Sequence, residues 1–118
     1  MTTQTIASRS LTFRIGWIAL LAISAVWAFG HIMLMIVVKD EATLFLGWAA
    51  FNLYSTSVLF FPFRRGERWA WYTSWILVIG FALPIFFTRE SFVAWYVGAA
   101  GVMVLSLLLT RPAFFQKA

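Results

Sequence analysis

The sequence predicts an all-α integral membrane protein, one domain folded as a four-transmembrane-helix bundle with both termini cytoplasmic. Three observations carry that expectation. Apolar residues make up 63% of the 118 and the mean hydropathy is +0.89, whereas soluble domains hold about half apolar residues. Those residues fall into four blocks, 13–38, 43–63, 69–87 and 92–110, each near or above the ~20 residues a helix needs to cross the hydrocarbon layer. Every full charge lies at a block edge. A charge at a helix centre costs about 2.5–3.5 kcal/mol on insertion scales, so this segregation is what four lipid-embedded spans require. A soluble fold is excluded.

Block one follows a polar start carrying Arg9, and Arg14 sits just inside it. A signal peptide begins in the same way, and Ala25 to Ala28 offers small residues for cleavage. The apolar run nevertheless continues to Val38, beyond the ~7–15 residues of a signal core, and Trp27 is a poor neighbour for a cleavage site. The block is therefore expected to stay as a helix. Lys39-Asp40-Glu41 makes a very short turn into block two. Blocks two and three meet at Phe61-Pro62-Phe63-Arg64-Arg65-Gly66-Glu67-Arg68-Trp69-Ala70-Trp71-Tyr72. Pro62 lacks an amide hydrogen and Gly66 tolerates positive φ, so one helix ends and another starts within a few residues. Thr88-Arg89-Glu90-Ser91 turns into block four, which Arg111, Pro112 and Lys117 follow.

The charges also orient the chain. Arg9, Arg14, Arg64, Arg65, Arg68, Arg111 and Lys117 fall at one end and only Lys39 and Arg89 at the other. Lys and Arg favour cytoplasmic loops, so the arginine-rich turn is expected inside, with Trp69, Trp71 and Tyr72 in the interfacial aromatic belt. The formal charge of +5 thus reads as an orientation signal, and nucleic acid is not an expected partner. Arg64, Arg65, Arg68, Trp69 and Trp71 form a topological anchor, with docking of a partner protein or anionic lipid as the other use of the same residues. Asp40, Glu41, Glu67 and Glu90 each stand at the start of a helix, where negative charge complements the helix dipole. Arg14 precedes Trp17 by three residues as Arg68 precedes Trp71, an echo that interface preferences alone generate.

The string Arg64-Arg65-Gly66-Glu67-Arg68-Trp69-Ala70-Trp71 resembles the inner turn of small bacterial four-helix membrane proteins of the DoxX-like kind. The resemblance covers that turn and the span pattern. It implies a four-helix bundle in a bacterial inner membrane and brings no catalytic residues with it.

Within the spans, His31 is the only histidine. It lies roughly 10 Å from the end of its helix at ~1.5 Å rise per residue, and ionisable residues at such depth normally face protein or water. Trp17, Ser24 and His31 are seven apart and share a face. Trp48 and Asn52 on block two lie at similar depth, so a hydrogen bond from His31 to Asn52 or Ser24 is the simplest expectation. Pro84 is expected to kink block three at the same level by withholding a donor from Gly80. His31, Trp48, Asn52, Gly80, Pro84 and Trp95 are therefore the candidate ligand-binding residues, lining one cavity walled also by Phe81 and Phe86; a packed kink without a void is the alternative. Ser55, Thr56, Ser57, Thr73 and Ser74 are available to bond across helices or back to the preceding turn. Ala94, Gly98 and Gly101 form a small-residue face for close helix packing, within the bundle or between protomers.

Absences narrow the function further. No cysteine is present, which removes disulfide, thiolate and iron–sulfur chemistry. Small multidrug transporters and sterol-isomerase-like enzymes both need intramembrane carboxylates, and none exists here. No metal-binding, triad or phosphate-loop motif occurs, so the expectation is that the protein is not an enzyme. Three functions stay open. The first is an accessory or assembly subunit whose partners are membrane lipid and other membrane proteins or itself. The second is binding or transport of a small lipophilic molecule near His31, and the third a pigment- or haem-binding subunit. No metal site or cofactor is called for, lipid or pigment being the class of molecule such a cavity would hold.

Overall fold

The computed structural model describes residues 10–87 and 90–115; Arg9, Lys117, Thr88 and Arg89 of the expected edges lie outside them. The described residues are helical with no strand. Helix α1 covers Leu11–Val37, its first turn capped by the Ser10 hydroxyl, which accepts from the Phe13 amide at 3.2 Å. One residue separates it from a 3₁₀ turn at Lys39–Glu41 that leads into α2, Ala42–Val58. The α2 helix widens into a π turn over Leu59–Phe63, and α3 begins at Arg68 and runs to Ala82. A short α4, Pro84–Phe87, extends that span, and α5 covers Val93–Phe115. The runs Leu11–Val37, Lys39–Phe63, Arg68–Phe87 and Val93–Phe115 are each long and apolar enough to cross a membrane.

Prolines set the irregularities. Pro62 has no amide to give its own helix, and there the ladder loosens to π geometry before Gly66, at φ 80°, reverses the chain. The Gly66 amide closes the turn on the Phe63 carbonyl at 2.9 Å, and that of Glu67 on Pro62 at 3.1 Å. At Pro84 the helix breaks outright: α3 stops at Ala82 and Leu83 makes the last bond back, to the Ile79 carbonyl at 2.9 Å. Pro112 is the exception, since α5 continues through it to Phe115 rather than stopping at residue 110. The residues beyond it are anchored by packing, because the Phe114 ring meets Phe63 at 4.7 Å and Phe13 at 6.0 Å between centroids.

Polarity is arranged for lipid. Large side chains such as Ile15, Ile18, Phe29, Leu46 and Leu105 face outward, while Ser24, His31, Asn52, Ser55, Ser74, Ser106 and Thr110 are buried. Lipid tails are as apolar as leucine, so helix association rests on close approach and interhelical hydrogen bonds. The helices are arranged as an incomplete ring: α1 packs along α2 and α5, α5 packs along α3, and α2 and α3 touch only sparsely. The tightest approach is at Gly16. A Cβ there would stand 2.8 Å from the Ser106 carbonyl oxygen and 2.8 Å from Thr110 Cγ2, so only glycine lets α1 lie this close to α5.

The small-residue face expected to mediate packing is not used within the bundle. Ala94, Gly98 and Gly101 are all exposed, and a Cβ at Gly98 or Gly101 would meet nothing within 4 Å. The inward face of α5 is set instead by Ala99, Ala100, Met103, Leu107 and its buried hydroxyls.

Candidate functional site

At the level of His31 all four spans meet. On α1 the buried stripe Leu20, Ser24, Ala28 and His31 repeats at helical spacing and faces α2 and α5; on α2 the stripe Ala49, Asn52 and Ser55 answers it. His31 Nδ1 lies 2.7 Å from Asn52 Oδ1, and His31 Nε2 lies 2.8 Å from the Tyr96 hydroxyl on α5. One turn deeper, the Asn52 backbone carbonyl accepts from Thr56 Oγ1 at 2.7 Å and from Ser24 Oγ at 3.2 Å, and the two hydroxyls are 2.9 Å apart. Rings enclose the imidazole: Trp48 and Phe45 stack near parallel at 6.1 and 6.4 Å. Tyr96 is in turn packed edge-on by Trp27 at 5.9 Å and lies 5.6 Å from Phe81 of α3.

The expected bond between His31 and Asn52 is present, and the bond to Ser24 is not. The network has one loose end. Asn52 is fully buried, and its Nδ2 has no hydrogen-bond partner among the described residues. Buried amide hydrogens without acceptors cost about 1–3 kcal/mol.

The single cavity expected around His31 is instead two separate grooves, divided by the stacked His31 and Trp48 rings and by Phe51. One, of about 560 Å³, runs between α2 and α3 and is bordered by Leu44, Gly47, Trp48, Phe51, Gly80 and Leu83. It continues toward the arginine end as a smaller cavity of about 160 Å³ beside Tyr54, Val58, Thr73 and Leu77. Two of the hydroxyls beside this smaller cavity turn back on their own helices, Ser55 to the Phe51 carbonyl at 2.9 Å and Ser74 to that of Ala70 at 2.7 Å. The second groove, of about 210 Å³, lies between α1 and α5 and is bordered by Val26, Trp27, Gly30, His31, Leu34 and Tyr96.

Of the candidate residues, His31 thus lines the α1–α5 groove, Trp48 and Gly80 line the α2–α3 groove, and Asn52 joins the two layers from inside. Pro84 is half-buried and borders neither groove. Trp95 is 76% exposed and Phe86 78% exposed, so neither is a wall; the helical break at Leu83 and the phase of α5 turn both toward the bilayer. Phe81 is buried as a packing residue. Tyr96 was missed, although Tyr96, Met103 and Thr110 repeat at seven residues and so mark one face of α5 as Trp17, Ser24 and His31 mark one face of α1.

The arginine end is built differently. In the π turn the Leu59 carbonyl accepts from the Trp17 indole at 2.8 Å, while the Trp71 indole donates to the Leu107 carbonyl at 2.9 Å. Arg68 Nε donates to the Phe114 carbonyl at 3.0 Å and its guanidinium lies over Phe115 at 5.6 Å, as does that of Arg111 at 5.7 Å. Arg64 sits over Trp17 and Phe60. Arg65 pairs with Glu67 at 2.8 Å, and Glu67 also accepts from the Trp69 indole at 2.5 Å. Trp71 is therefore a core residue rather than part of an exposed docking patch; Arg65 and Trp69 remain on the surface.

No group of three or more metal-ligating side chains occurs among the described residues. Both ring nitrogens of His31 already have partners, so axial ligation of a haem would have to break one of those bonds, and the residues present do not fit that group. Searches against family models, curated proteins and solved structures find no match to this chain.

Proposed function

We propose that the protein is a non-enzymatic membrane subunit, an accessory or assembly component whose α2–α3 seam receives a transmembrane helix of a companion protein. The observation that carries this is the seam itself. Spans joined by a tight turn are natural neighbours, yet here α2 and α3 leave a groove of about 560 Å³ open to the bilayer, larger than the groove of about 210 Å³ between α1 and α5. Gly80 on its α3 wall is covered by the Phe51 ring, but at Gly47 on the α2 wall a Cβ would meet nothing within 4 Å, and glycine is the residue type that lets a further backbone approach closely. Apart from Thr43 its lining is apolar and aromatic, so the groove selects by shape. The absence of any carboxylate in the spans supports a role without catalysis.

The reading places the protein as a multi-pass component of a bacterial cytoplasmic membrane with the arginine end inside. Among the described residues Arg14, Arg64, Arg65, Arg68 and Arg111 lie at that end and Lys39 at the other, the asymmetry that favours this orientation. Photo-crosslinkers at Leu44 and Ile76, on the groove, should capture a companion polypeptide in cells, and the same probes at Leu105 and Leu109 on the outer face of α5 should not. Equal capture at all four, or a clean monomer by native mass spectrometry from mild detergent, rejects the proposal.

One observation favours a second reading, binding of a small lipophilic molecule beside His31. The α1–α5 groove brings the only intramembrane imidazole and the Tyr96 hydroxyl to a lipid-accessible opening, behind which Asn52 holds an unused donor.

A further inference from the structure

Resting on that second reading, we infer that Tyr96 is the hydrogen-bond donor for the carbonyl oxygen of a flat, uncharged lipophilic molecule in the α1–α5 groove, with His31 and Asn52 as positioning residues. A neutral imidazole has one donor and one acceptor, so the chain from Asn52 through His31 to Tyr96 has two polarities on the same heavy-atom positions. In the first, His31 Nδ1 donates to Asn52 Oδ1 and the Tyr96 hydroxyl donates to Nε2. That polarity uses up the tyrosine hydrogen and strands the Asn52 amide nitrogen. In the second, the amide is turned over and donates to Nδ1, Nε2 donates to the tyrosine oxygen, and the tyrosine hydrogen is released to point into the groove. The cost then falls on one amide oxygen, and buried carbonyl oxygens go under-satisfied more readily than buried N–H groups.

Lipid tails offer no acceptor for the released hydrogen, so an empty groove holds the first polarity. A carbonyl oxygen in the groove supplies the acceptor and selects the second. The groove itself sets the rest of the ligand. It carries no charged residue, it holds about 210 Å³, and a Cβ at Gly30 would meet nothing within 4 Å, so the glycine leaves a flat floor beside the Trp27 ring. A single substituted ring bearing a carbonyl fits that shape; a charged or branched head does not.

The test uses the whole protein in lipid nanodiscs and a decyl-substituted para-benzoquinone with isotope-labelled carbonyls, with decylbenzene as the hydrocarbon control. The quinone should bind saturably above empty nanodiscs, and its carbonyl stretch should move to lower frequency. Tyr96→Phe should abolish that shift and weaken binding about five- to tenfold, the worth of one hydrogen bond. Gly30→Leu should abolish saturable binding while leaving the polar chain intact. His31→Leu should lose the carbonyl shift and His31→Gln, whose amide can still donate to the tyrosine oxygen, should regain part of it; a merely structural histidine would not give that rescue. Equal affinity for quinone and decylbenzene, with no sensitivity to Tyr96→Phe, overturns carbonyl recognition and leaves a lipophile groove. Absence of saturable binding for both probes, or indifference to Gly30→Leu, overturns the groove and the inference together.

Discussion

The two levels at which side chains tie the helices together use opposite strategies. At the arginine end the donors Trp17, Trp71 and Arg68 each meet a backbone carbonyl on another element. At the histidine level, side chain meets side chain, and the amide nitrogen of Asn52 meets nothing. Carbonyls are fixed by their helix and have one polarity, so the first arrangement holds a shape and nothing else. A chain of amide, imidazole and phenol can reverse its direction and can pass an unsatisfied group to whatever occupies the groove. On the proposed reading, the difference separates architecture from recognition within one small bundle.

The comparison breaks most readily at Gly16. Gly16→Leu forces a side chain onto the Ser106 carbonyl and should cost about 3 kcal/mol, read as a fall in the unfolding midpoint by steric trapping in bicelles. Next comes the histidine level. Asn52→Leu alone strands an imidazole nitrogen and should cost about 1–3 kcal/mol, whereas replacing Asn52 and His31 together by leucine should come within about 1 kcal/mol of the parent, because exchanging both partners for apolar groups is close to neutral. If the double variant is as damaged as the single, the network is architectural after all and the contrast disappears. Trp17→Phe keeps the ring but removes its hydrogen bond to the Leu59 carbonyl, an expected loss of about 1 kcal/mol in the same assay with no effect on binding in the groove. The smallest effect belongs to Arg65→Ala, whose exposed pair with Glu67 should contribute at most about 0.5 kcal/mol, less at high salt.

The four spans and their turns were readable because hydropathy, prolines and charges act along the chain, and the depth match of His31 with Asn52 followed from rise per residue alone. What could not be read was helix phase. In water a polar face marks the outside; here lipid and protein interior are equally apolar, so nothing in the hydropathy of Trp95, Gly98 and Gly101 says which way they turn. The polar residues carried that information, buried where a soluble protein would expose them. Following Tyr96, Met103 and Thr110 as a stripe, rather than the small residues beside them, would have turned α5 correctly and found the second partner of His31. Gly16 escaped for another reason: close approach depends on what faces a glycine, and Ser106 and Thr110 are some ninety residues away in sequence.

The connection between α1 and α2 is a single residue and one 3₁₀ turn, Lys39–Glu41. With the arginine end inside, as proposed, so short a link would have the two helices insert as one hairpin with Lys39, Asp40 and Glu41 at its leading tip. Adjacent opposite charges let that tip move as a nearly compensated cluster. Lengthening the link with flexible residues would therefore alter the order of membrane entry before it altered the finished bundle.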